Sequence, residues 1–225
     1  MKIGLIERKL HELAKDWVGE KHLPSIIRQL NSTFDRSILY FSSNRYQADY
    51  YKDHSVVVSG QYCPKVRDCI PENIIICLSV PKEPKKIVLT KKGARNLEIK
   101  ILRTILHEYR HREQGRKQGF LPAKRYIPSK NAKNRIKMAY LGMPDEIDAH
   151  AHETIVENMF GLLDINRLRA AHKISWRESE AVFMYRQHFR KTDPKVWKKF
   201  LKKVYKNNEQ HSHKRITNSG KGHPY

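Results

Sequence analysis

Residues 97–111 read LEIKILRTILHEYRH, and this stretch decides the fold of the surrounding chain. Its apolar side chains recur at the spacing of one face of an α-helix, namely Leu97, Ile101, Leu102, Ile105 and Leu106. The apolar stripe continues directly into His107 and His111. Because these two histidines are four residues apart, a helix places both imidazole rings on one face. The spacing therefore predicts a buried helix that presents two histidines side by side.

With Glu108 beside the first histidine, the end of this helix has the pattern HExxH. Two imidazole nitrogens four residues apart can bind one Zn²⁺, which accepts nitrogen ligands at about 2.0–2.1 Å. A catalytic zinc site adds a third protein ligand and leaves one position open for water. Glu108 can then take a proton from the metal-activated water and carry it to the leaving amine. The motif predicts His107 and His111 as metal ligands and Glu108 as the general base.

A second helix, predicted to begin at Pro144, carries the candidates for the third ligand. Proline is tolerated in a first turn, and acidic residues there favour the positive end of the helix dipole. Glu146 and His150 are four residues apart and share a face, whereas Asp148 lies roughly opposite and is expected to face solvent or to cap the first turn. Two hypotheses follow from the residues: Glu146 binds the metal with His150 behind it, or His150 binds the metal directly.

Both helices together resemble the gluzincin branch of the zincin metallopeptidases. In that family a downstream helix supplies a glutamate within a pattern like ExxA followed by Asp or Asn. Residues 146–150, EIDAH, match the glutamate and the alanine, and His150 stands at the position of the Asp or Asn. The resemblance covers roughly residues 74–160 and implies Zn²⁺ as cofactor, Glu146 as the third ligand and hydrolysis of peptide bonds in a protein or peptide substrate. The compact, basic chain also resembles small zincins of phage and bacterial genomes.

The remaining sequence predicts an α+β fold. β-branched and aromatic runs separated by turn residues predict strands at residues 37–42, 55–60, 73–80 and 86–90. We expect a single zincin-like metallopeptidase domain over residues 1–207, with a small, mainly antiparallel sheet in the strand-rich part 37–90 packed on the HExxH helix. We expect the active-site helix and the C-terminal helices within residues 95–207. A capping box at residues 175–178 precedes one of these helices, and Asp193 caps the next. Residues 208–225 are polar and basic, and they predict a disordered tail.

The resemblance also bears on substrate binding. Zincins place a strand along the substrate cleft just before the active-site helix, and the strand predicted at 86–90 has that position in the chain. An extended peptide can add to such an edge by main-chain hydrogen bonds. The sequence does not single out the group that stabilises the oxyanion, for which Tyr140, His152 and His172 are candidates.

The charge of the chain favours a phosphate-rich or acidic partner. Lys and Arg number 45 against 23 Asp and Glu, which gives a formal net charge of +22. The excess is concentrated in segments 109–139 and 191–225, as in proteins that bind nucleic acid non-specifically. No nucleic-acid recognition motif accompanies it. The alternative function is therefore a nucleic-acid-associated or virion structural protein that retains a zincin-like fold without peptidase activity.

The metal motif is also compatible with two further functions. One is a zinc hydrolase of non-peptide bonds, because motif and fold do not fix the substrate. The second is a basic peptidase that removes proteins attached to DNA, as SprT-like zincins are thought to do. Those zincins typically use a third histidine, which would favour His150 over Glu146.

Membrane and secreted classes are not expected. The longest apolar run, residues 74–78, is far shorter than the roughly 20 residues that a bilayer-spanning helix needs. The first residues lack the long apolar region of a secretory signal. The three cysteines lack the paired spacing of a structural zinc site, and an odd count argues against a disulfide framework. We expect reduced thiols and a location in the cytoplasm, or in the host cytoplasm or virion if the chain is phage-encoded.

Overall fold

The computed structural model describes residues 3–43, 56–64, 73–80, 86–118, 125–128, 134–171 and 179–219. The chain divides into two compact units, Met1–Phe120 and Leu121–Tyr225. Helices and small sheets are both present, which confirms the α+β class. The zincin-like arrangement and the single domain over residues 1–207 stay predictions.

The first unit holds the strands and the HExxH helix. Its described elements are α1 (Ile3–Lys15), β1 (Gly19–His22), α2 (Leu23–Thr33), β2 (Leu39–Ser43), β3 (Val57–Cys63), β4 (Asn73–Ser79), β5 (Lys86–Leu89) and α3 (Lys91–Gln118). All four predicted strands are present. Strand β1 was not predicted, because GEKH is short and polar and becomes a strand only by pairing antiparallel with β5.

The other three strands form a sheet with β4 in its centre. The order is β2-β4-β3, with β2 parallel and β3 antiparallel to β4. Ile76 of β4 is paired with Phe41 on one side and Gly60 on the other. At the β2 edge the buried Asn31 side chain bonds to both the backbone N–H and the backbone C=O of Phe41, at 2.9 and 2.7 Å. Helix α2 thus covers part of the β2 edge, whereas β3 is the last of the described strands on the other side.

Helix α3 is the predicted HExxH helix. All five residues of its apolar stripe are buried. The helix contacts α1 and the β3–β4 part of the sheet, so the apolar periodicity correctly predicted which face enters the core. The described part of the helix runs to Gln118.

The second unit is helical in its described part. Its elements are α4 (Arg135–Leu141), α5 (Pro144–Met159), α6 (Ile165–Ala171), α7 (Glu180–Phe189) and α8 (Pro194–Ser219). Its core is built around Tyr185 and Phe200, whose rings stack with centroids 4.0 Å apart. Helix α6 was not predicted.

The helix starts of this unit confirm one expected cap and add a second. The Asp193 carboxylate accepts hydrogen bonds from the backbone N–H of Lys195 and of Val196, as expected for the residue before α8. Helix α7 is capped by Ser179, whose hydroxyl accepts from the Val182 N–H. The capping box predicted at residues 175–178 lies outside the described residues.

Helix α8 is longer than the sequence predicts. Residues 208–219 continue the helix, where composition predicts a disordered tail, and residues 220–225 lie outside the described part. Asn208 is buried and its side-chain amide donates a hydrogen bond to the Thr154 hydroxyl at 2.9 Å. This contact with α5 ties the helix down beyond its apolar stretch, and a polar composition does not reveal such a contact.

None of the helices in the described ranges combines the length and the apolar character that a bilayer-spanning segment requires. Cys63 and Cys77 are free thiols. Cys69 lies outside the described residues.

Candidate metal and catalytic centre

The two histidines of the motif are brought together on α3. Their Nε2 atoms lie 3.0 Å apart, and the rings meet edge to face with centroids 4.7 Å apart. Two nitrogens bound to one tetrahedral Zn²⁺ at about 2.0–2.1 Å would be about 3.3 Å from each other. The observed separation is close to that value, so the pair fits a shared metal ion with little rearrangement.

Gln114, one helical turn beyond His111, favours the ring tautomer that a metal ligand needs. Its side-chain oxygen, in the assigned amide orientation, lies 2.9 Å from His111 Nδ1. Because an amide oxygen only accepts, Nδ1 carries the proton and the lone pair of a neutral ring is on Nε2. Ligating histidines usually donate their other N–H in this way. The sequence interpretation did not include Gln114, although its i+3 spacing from His111 was a usable signal.

Glu108 is buried against strand β3. A Cβ atom added at Gly60 would lie 2.6 Å from Glu108 Cγ and 2.8 Å from Glu108 Oε1, so the glycine backbone passes directly over the carboxylate side chain. A larger residue at this position would displace one of the two. The strand that contacts the proposed base is therefore β3. The strand predicted to lie along the substrate cleft, residues 86–90, forms β5 and pairs with β1 in a separate two-stranded sheet.

Comparisons with protein-family models, with curated proteins and with solved structures gave no match to this chain.

In the second unit, α5 presents three titratable side chains along one face. His150 Nδ1 lies 2.7 Å from Glu153 Oε1, and His150 Nε2 lies 3.8 Å from Glu146 Oε2. The Glu153 carboxylate accepts a hydrogen bond, so Nδ1 of His150 carries the ring proton. The Nε2 atom of His150 then points towards Glu146. Glu153 was not predicted as part of the site. Its spacing from Glu146, seven residues, is two helical turns and could have identified it.

Tyr185 lies beside this face of α5. Its ring centroid is 5.7 Å from that of His150, and its hydroxyl donates to the Leu141 carbonyl oxygen at 2.7 Å. Burial raises the pKa of Tyr185 well above its usual value, and the negative charges of Glu146 and Glu153 raise it further. Tyr185 is therefore a neutral hydrogen-bond donor.

Asp148 was predicted to face solvent or to cap the first turn of its helix, and this prediction was wrong. The side chain is buried and its Oδ1 lies 2.8 Å from the Lys203 ammonium of α8. The face of α5 opposite Glu146 does not reach solvent, because α8 packs along it. One amphipathic helix seen in isolation could not reveal this second covered face.

The remaining site residues named from the sequence are placed as follows. Arg110, which lies within the HExxH motif, pairs with Glu113 at 2.6 Å. Tyr140 is exposed on α4, and His152 is half-buried on α5. His172 lies outside the described residues.

Proposed function

We propose that the protein is a zinc-dependent metallopeptidase of the gluzincin type. His107, His111 and Glu146 are the metal ligands in this proposal, and Glu108 is the general base. The observation that carries it is the 3.0 Å separation of the two histidine Nε2 atoms on α3. Two imidazoles and one carboxylate are a recurrent ligand set of catalytic zinc.

The chain's own residues can divide the work of peptide hydrolysis. Zinc bound at these ligands would lower the pKa of a coordinated water and polarise the scissile carbonyl. Glu108 accepts the proton and delivers it to the leaving amine. Packing against Gly60 restricts the rotamers of Glu108, which favours one fixed position of its carboxylate.

The substrate in this proposal is an extended peptide that lies along β3. Among the described strands β3 lies at the edge of the three-stranded sheet, and its Gly60 is in contact with Glu108, the proposed base. Main-chain hydrogen bonds to such an edge hold a peptide largely independently of its side chains. A peptide on β3 would present its backbone close to Glu108.

One observation favours a second assignment of the third ligand. The hydrogen bond between His150 and Glu153 matches the carboxylate–histidine pair that, with a metal, recurs in zinc proteins. His150 is therefore the alternative third ligand. Glu146 would then be its neighbour rather than a ligand.

Metal content and proteolysis of the full chain test the proposal. The protein is purified without added zinc, and cleavage of an unfolded generic protein is measured. We expect Glu108→Gln to retain zinc and lose cleavage, and His111→Ala to lose zinc. Glu113→Gln, which removes a different carboxylate from the same helix, is the matched control and should retain both. Absence of zinc from the wild type contradicts the proposal, whereas zinc without cleavage supports the non-enzymatic alternative.

A further inference from the structure

The outer face of α8 is a continuous stripe of lysines. Five of them are exposed: Lys195, Lys198, Lys199, Lys202 and Lys206. None of the five takes part in an ion pair with another residue that the structure describes. The sixth lysine of this stretch, Lys203, differs because it pairs with Asp148. We call the five exposed residues the lysine stripe.

Helical geometry places the lysine stripe opposite the face that packs into the core. At 3.6 residues per turn, the five side chains fall within about 100° of arc. The opposite side of the same helix is buried, with Trp197, Phe200 and Val204 in the core of the unit. The packing therefore holds the stripe in one fixed orientation.

The acidic residue in the described part of α8 already has a cationic partner. Among the described side chains of α8 the acidic residue is Glu209, and it is paired with Arg169 across the unit. The stripe thus keeps an uncompensated positive charge along three turns of helix.

We propose that the lysine stripe binds the phosphate backbone of duplex nucleic acid without regard to sequence. From Lys195 to Lys206 the helix rises about 16 Å, so positive charges follow one another about every 4 Å. One strand of a duplex carries a phosphate about every 3.4 Å of its axis. The two spacings are similar, which allows several lysines to contact successive phosphates at the same time.

The composition of the stripe favours this partner over an acidic protein. Protein interfaces have an apolar or aromatic centre and are poor in lysine. On α8 the aromatic residues Trp197 and Phe200 face inwards, and the exposed side chains between residues 195 and 206 are the five lysines of the stripe. Lysine binds phosphate as a point charge, and contacts to phosphate carry no sequence information.

Fluorescence anisotropy tests the proposal. The affinity of the full chain for a fluorescent 25-base-pair random-sequence DNA duplex is measured at several salt concentrations. One variant replaces all five lysines by glutamine, which has a similar helix propensity. A second replaces them by arginine and keeps the charge. The matched control removes five positive charges from the first unit, at Arg8, Arg28, Lys91, Lys92 and Lys100, also by glutamine. Circular dichroism establishes that each variant is folded.

We expect the glutamine variant of the stripe to bind at least tenfold more weakly near 100 mM salt. The slope of log affinity against log salt should become shallower by about 3 to 4, since each lost phosphate contact accounts for about 0.9. The affinities of the arginine variant and of the first-unit control should stay within about threefold of wild type.

Equal losses of affinity in the stripe variant and the control would show that net charge alone acts and would overturn the proposal. The proposal would also be overturned if the wild type did not bind DNA, if its affinity for DNA did not change with salt, or if it bound polyglutamate as tightly as DNA. The assay needs neither zinc nor cleavage, so its outcome is separate from that of the peptidase proposal.

Discussion

Gly60 of β3 lies against Glu108 of α3 so closely that no side chain fits between them. A Cβ at Gly60 would come within 2.6 Å of Glu108 Cγ and equally close to Thr104 Cγ2. Strand and helix are thus in contact at the residue that is proposed to act as the base. Hydrogen-bond pairing fixes the strand on its other side, opposite Ile76 of β4.

Replacement of Gly60 by alanine should reduce catalysis more than it reduces metal binding. The added methyl group forces either the strand or the Glu108 side chain to move, at a cost of about 1–3 kcal/mol in the free energy of unfolding. We expect peptide cleavage to fall at least tenfold with zinc content unchanged. Gly93→Ala is the control, because its Cβ would meet neighbours at ordinary distances of 3.4 Å or more. Unchanged cleavage by the Gly60→Ala variant would show that the contact does not position Glu108.

Gln114 should contribute to metal affinity through His111. Its side-chain oxygen accepts the Nδ1 proton and leaves the Nε2 lone pair available. Gln114→Ala should weaken zinc binding by about 10- to 100-fold, the range found when such supporting groups are removed. Gln114→Glu preserves the acceptor and should bind zinc at least as well as wild type. Competition with a chromophoric chelator measures both, and equal affinities in the two variants would argue against this role.

Single substitutions on α5 should identify the third ligand. With Glu146 as ligand, Glu146→Gln loses tight zinc binding, and His150→Gln weakens it by no more than about 100-fold through its supporting position. Zinc affinity of the two purified variants is the measurement. The reverse order of losses would assign the ligand to His150, and Glu153→Gln should then weaken zinc binding as well, because Glu153 holds the His150 ring at 2.7 Å.

The two partners of the Asp148–Lys203 pair should differ in their effect on stability. Asp148 is buried, whereas 37% of the Lys203 side chain is exposed. Lys203→Met leaves a buried carboxylate without this cation and should cost about 2–4 kcal/mol of the free energy of unfolding. Asp148→Asn leaves a lysine that can turn to solvent and should cost about 1 kcal/mol. Urea unfolding of both variants tests the order, and equal losses would contradict it.

His188 should make the stability of the protein depend on pH. Burial lowers the pKa of His188, and the positive charge of Lys137 lowers it further. Its pKa in the unfolded chain is about 6.5. Below that pH His188 binds a proton more readily in the unfolded state than in the folded state. The free energy of unfolding is therefore highest above the unfolded-state pKa and decreases as the pH falls through it. Between about pH 7.5 and 5.5 the wild type should lose more free energy of unfolding than His188→Gln, and equal losses would exclude a contribution from His188.

The sequence alone determined the features that depend on neighbours along the chain. The helical period of residues 97–106 predicted the buried face of α3, and the four-residue spacing of His107 and His111 predicted that their imidazoles meet. The strand positions followed from β-branched runs in the same way. Each of these rests on a periodicity of the backbone, which acts over a few residues.

The tertiary structure decided everything that depends on contacts between distant residues. The strand against Glu108 is β3 because sheet pairing brings Gly60 there, and Asp148 is buried because α8 covers it. Strand β1 exists through its pairing with β5, and the helical residues 208–219 follow a buried contact of Asn208 with Thr154. Local propensities cannot supply these results, because each partner in such a contact is stabilised by a residue far away in the sequence.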